Sequence, residues 1–165
     1  MTHLQLPDDH RTTPLAAVPD EDHAVLVVRP WFDPGLALDG FALCSPYVER
    51  YWLGVLGPSA IMLLRRLARG LEERPEGFQI SVADTARAIG LGRGTGRQAP
   101  ITRTIDRACL FSAMRRVSDT EVHVRTHLPR LTARQLARLP LAVRNSHGPW
   151  LAAHRAGGPG APHAA

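Results

Sequence analysis

The sequence predicts a mainly α fold with a small β-hairpin (α+β), and three observations carry that expectation. Apolar residues recur at helical spacing, as at Ile61, Leu64, Leu67, Ala68 and Leu71. Glycine and proline break those stretches at Gly57-Pro58, Gly90 and Pro140. The stretch Arg116 to Thr126 instead alternates polar and apolar residues beyond a Ser118-Asp119-Thr120 turn, the pattern of a half-buried hairpin. With 165 residues, 44% of them apolar, the chain is long enough for one domain with a real core.

Residues 1–22 are polar, acidic and punctuated by proline, a composition that predicts disorder. One domain is expected over residues 23–155, followed by a disordered, low-complexity tail over 156–165. Ala24 to Val28 is a β-branched run and predicts a strand. Trp31 to Leu43 carries Pro34, Gly35 and Gly40 and reads as a loop with apolar anchors. Ser45-Pro46 opens a helix to about Leu56, with Tyr47, Tyr51, Trp52 and Val55 as packing residues. An aromatic cluster of that kind fits a core or a dimer interface better than a platform for stacked bases. A second helix starts at Pro58 and ends near Gly70, with Arg65, Arg66 and Arg69 off its apolar stripe or at its edge. Phe78 to Ile80 is a short strand, expected to pair with the hairpin.

Ser81 is a helix N-cap, and Asp84 three residues on gives the acidic form of a capping box. Val82, Ala86 and Ile89 form one buried face of about two turns, and Gly90 supplies the left-handed residue that ends a helix. After the arginine- and glycine-rich loop Arg93 to Gln98, Pro100 suits a first helical position. Ile101, Ile105, Ala108 and Ser112 share one stripe of that next helix. Thr102, Arg103, Asp106 and Arg107 lie on the opposite side. Beyond the hairpin, Thr132 with Gln135 reads as a capping box for a helix Ala133 to Leu139, and Pro140 starts a last helical stretch to Leu151.

Helix, glycine-bearing turn, arginine-studded helix and hairpin, in that order from Ser81 to Arg125, resemble a winged helix-turn-helix domain. The span from about Tyr47 to Leu151 is similar to small winged-helix proteins of actinobacteria. The turn departs from the simplest pattern, because Arg93 to Gln98 lengthens it. The resemblance implies a transcriptional regulator that binds double-stranded DNA, with a recognition helix at about 100–114 and a wing at about 116–126. Thr102, Arg103, Asp106 and Arg107 would face the major groove. Arg93 and Arg97 from the loop, and His123 and Arg125 from the wing, would reach phosphates. A homodimer is the expected state, with Pro46–Leu56 and Pro140–Leu151 as alternative contact surfaces. The second reading is a winged-helix module that docks on another protein without touching DNA.

Charge is distributed unevenly. All 20 basic residues are arginines, which suggests a GC-rich genome more than a physical demand and makes arginine abundance alone weak evidence for nucleic acid. Position is more telling. From Arg87 to Arg138 there are eleven arginines against three acids, whereas Met1 to Asp39 carries seven acids against two arginines.

Other chemistries find little support. His123 and His127, four apart on a strand, would stand about 13 Å from each other, too far to share one ion, so no metal is expected. Gly92 to Arg97 lacks the ending of a phosphate-binding P-loop and follows no strand. Neither Ser146-His147 nor Cys44 has partners at the spacing of a nucleophile and base, so an enzyme and a cofactor are not expected. Cys44 and Cys109 make no disulfide framework, and Cys109 reads as a small core residue. With no apolar leader and no bilayer-length apolar run, a cytoplasmic protein without membrane attachment is expected.

Overall fold

The computed structural model describes residues 24–156. The expected disorder of 1–22 and of the tail therefore falls outside the described residues, apart from Ala156. Along the chain come β1 (Val25–Pro30), α1 (Pro34–Asp39), β2 (Phe41–Ala42), a π-helical turn (Val48–Trp52), α2 (Leu53–Leu56) and α3 (Pro58–Glu73). They are followed by β3 (Phe78–Ser81), α4 (Val82–Ala88), α5 (Pro100–Leu110), β4 (Met114–Ser118), β5 (Glu121–Val124), β6 (His127–Leu128), α6 (Ala133–Leu136) and α7 (Leu141–Ala156).

The fold is mixed α/β, and this corrects the expectation of a mainly α, winged helix-turn-helix domain. One sheet has four strands in the order β3-β1-β5-β4, and β2 pairs with β6 in a second, two-stranded sheet. β1 runs antiparallel to β3 and parallel to β5, so it separates them. Phe78–Ser81 thus pairs with β1 and not with the hairpin. The hairpin, β4 with β5, is one flank of the larger sheet instead of a projecting wing. Strand order is set by contacts between segments far apart in sequence, which local patterning cannot supply. Other corrections are local. Trp31 to Leu43 is not all loop: Asp33 Oδ1 accepts the Leu36 N–H at 3.2 Å and caps α1, with Pro34 in its first turn. Ser112 has left α5 and turns the chain with φ 56°.

Alternation along the strands decides which face is dry. Leu26 and Val28 of β1, Met114 of β4, and Val122 and Val124 of β5 are all buried. α3 covers that face with seven buried residues, from Ala60 to Leu71. Gly57, at φ 83°, makes the turn between α2 and α3, a conformation costly for any residue with a Cβ.

The aromatic helix is core. Tyr47, Tyr51 and Trp52 are at most 1% exposed, and each hydroxyl or indole nitrogen has a partner. The Trp52 indole donates to Pro129 O at 2.9 Å, and the Tyr51 hydroxyl to Ser146 O at 3.2 Å. The Tyr47 hydroxyl accepts the Leu131 N–H at 2.8 Å and meets His147 Nε2 at 2.9 Å. Its ring stacks on Phe41, with centroids 3.6 Å apart. The two segments expected to offer dimer contacts therefore pack on each other within one chain. Burial of this kind contributes about 1.5–3 kcal/mol per large side chain.

Candidate nucleic-acid interface

The eight residues expected to meet DNA separate into two sets. Arg93, Arg97 and Arg103 are exposed, and among the described residues their guanidinium groups make no hydrogen bond or ion pair. The other five are engaged within the protein.

The first set is held together from within α5. The Thr102 hydroxyl donates toward the main-chain oxygens of Thr95, at 3.2 Å, and Gly96, at 2.9 Å. Ala99 N–H also bonds Gly96 O at 2.8 Å. The loop carrying Arg93 and Arg97 is thereby folded against the opening turn of α5, next to Arg103. Thr102 serves as that tether instead of facing a groove. Ile101 and Ile105 are buried beneath, as their spacing predicts, so Arg103 stands outward.

Arg107 departs from its expected role. Its guanidinium donates from Nε to Leu56 O and from an Nη to Val55 O, both at 2.6 Å, and it lies 5.5 Å from the Phe111 ring centroid. The carbonyls that end α2 have no helical partner of their own, and a planar cation with several donors satisfies two at once. Asp106 is taken by Arg116, 3.1 Å away.

The hairpin residues belong to a network on the outer face of the larger sheet. Glu121 Oε1 lies 3.3 Å from Arg29 Nε and accepts from His123 Nε2 at 2.8 Å. His123 Nδ1 accepts from Arg115 at 3.0 Å, so one tautomer, protonated on Nε2, satisfies both bonds. Arg115 and Arg125 lie 4.9 Å and 4.0 Å from the Trp31 ring centroid, and Arg125 donates to Asp33 Oδ2 at 2.7 Å. His123 and Arg125 are thus structural members of a cross-strand array, not free phosphate ligands.

Arg103 and Arg107 border a cleft of about 380 Å³ with Gly57, Pro58, Ser59 and Pro100. α3 and α5 both begin there. Each opens on a proline, has no side chain capping its first turn, and carries no acid in that turn. The free N–H groups and the positive end of each helix dipole therefore favour a negative charge in the cleft. The sequence signal was the absence of a cap: Gly57-Pro58 and Ala99-Pro100 stand where Ser, Thr, Asp or Asn would close a helix.

Among the described residues, no group of three His, Cys, Asp or Glu is placed to hold a metal ion, and no helix is long and apolar enough to cross a membrane. Burial pushes the Cys109 thiol above its ordinary range.

Set against family models, curated proteins and solved structures, the chain matches none.

Proposed function

We propose that the protein binds double-stranded DNA, mainly through the phosphate backbone. The observation that carries this is Arg103, exposed and without an acid partner, on the cleft where two uncapped helices begin, with the exposed Arg93 and Arg97 on the loop that Thr102 ties to the start of the same helix. Guanidinium groups and helix N-termini both favour phosphate oxygens, and contacts to phosphate carry no sequence information. Base reading by α5 has little left to support it, since Thr102, Asp106 and Arg107 are occupied within the fold.

A titration of a labelled random duplex at several salt concentrations tests this. Wild-type affinity should fall steeply with salt, and Arg93→Ala, Arg97→Ala and Arg103→Ala together should flatten the slope by about 3, near 0.9 per phosphate contact. Absence of binding at low salt removes the proposal. That outcome favours a second reading, docking on another protein, for which Phe32 and Leu38, exposed at 77% and 86% around α1, supply an apolar surface.

A further inference from the structure

The basic surface does not end at α5. Helix α3 starts beside Arg103, and its 3.6-residue turn brings Ser59, Arg66 and Gly70 to one side. At a rise of 1.5 Å per residue, Arg66 and Arg69 lie about 10 Å and 15 Å along the axis from Ser59. A groove of about 400 Å³ opens there against β3 and α4, lined by Arg66, Arg69, Gly70, Arg74 and Phe78.

The acids of this groove are already engaged. Asp84 pairs with Arg87, and Glu73 lies 3.9 Å from Arg74, which itself sits 4.6 Å from the Phe78 ring centroid. Arg66 and Arg69 are exposed, and among the described residues their guanidinium groups have no hydrogen bond or ion pair. Two like charges three residues apart on one helix repel each other, a cost that a bound polyanion removes.

We propose that Arg66 and Arg69 are a second contact point for the same duplex, its backbone running from the Arg103 cleft along α3. A separation of 10–15 Å corresponds to about three to four base-pair steps of 3.4 Å, within the reach of one continuous duplex. This rests on the DNA-binding reading above and extends its footprint to arginines that the sequence pattern puts off the apolar stripe of this helix or at its edge.

The test compares four full-length proteins on one random duplex across salt: wild type, the Arg93/Arg97/Arg103 triple alanine variant, Arg66→Ala/Arg69→Ala, and Arg134→Ala/Arg138→Ala as a control of equal charge loss. Thermal unfolding confirms that each is folded. The Arg66/Arg69 variant should lower the salt slope by about 2, and the control should change it by less than half of that. An Arg66/Arg69 slope equal to wild type, alongside a weakened triple variant, overturns this inference and leaves DNA binding standing. Equal losses in both double variants also overturn it, since they report net charge and not a path. Wild type that binds no duplex overturns both.

Discussion

Arg107 of α5 donates to the main-chain oxygen of Leu56, 51 residues earlier, and so joins α5 to the end of α2. A residue that looks, in sequence, like a DNA ligand is a structural clamp. Arg107→Ala leaves the Val55 and Leu56 carbonyls without their charged donor, at an expected cost of about 1–3 kcal/mol in urea unfolding. The salt slope of DNA binding should stay within error of wild type. An unchanged midpoint with a flattened slope would reverse the assignment.

Tyr47 holds α7 and the segment before α6 to the aromatic helix. Tyr47→Phe keeps the ring and its stacking on Phe41 but strands the Leu131 N–H and His147 Nε2. A loss of about 1–3 kcal/mol is expected. Chemical denaturation measures it, and a neutral result would mean that water replaces the hydroxyl.

Burial, and secondarily the charge of Arg130, hold the His147 imidazole below its ordinary value of 6.5. The unfolded chain therefore takes up the proton first. Stability should be full above about pH 6.5 and fall as the pH drops through the lowered folded value. His147→Gln should remove that part of the acid sensitivity, read from Tm against pH. A wild-type Tm that is flat between neutral and mildly acidic pH contradicts it.

Ser112, the residue after the Phe111 C-cap of α5, holds φ 56°, a conformation that costs a residue with a Cβ about 1 kcal/mol or more. Ser112→Gly relieves that strain but loosens the unfolded chain by somewhat less, so a small gain, up to about 1 kcal/mol, is expected. Differential scanning calorimetry decides the sign.

What the sequence revealed follows the range of the interactions involved. The start of α4 at Ser81 and the Thr132–Gln135 capping box were legible because partners three residues apart define them. At α4 the box is half made: Ser81 accepts the Asp84 N–H, but the Asp84 carboxylate turns to Arg87. The buried faces of α3 and α5 were legible from period. The place of β1 inside the sheet was not, because its neighbours lie about 50 and 95 residues away and alternation says nothing of strand order. The same distance hid the fates of Arg107 and Arg125. Asp33-Pro34 did carry the signal of α1, but Gly35 and Gly40 outweighed it. Of the candidate site, the loop arginines and Arg103 were readable as charge on an outward face, while the tethering role of Thr102 depends on a loop shape that glycines leave open.

The most direct measurement follows the arginine side-chain Nε–H resonances of the labelled protein as duplex DNA is added. The account predicts the largest shifts at Arg93, Arg97 and Arg103, smaller ones at Arg107, which borders the same cleft with its guanidinium held on Leu56, and none at Arg125, held on Asp33. Shifts centred on Arg107 or Arg125, or no shifts under conditions where DNA is bound, would contradict it.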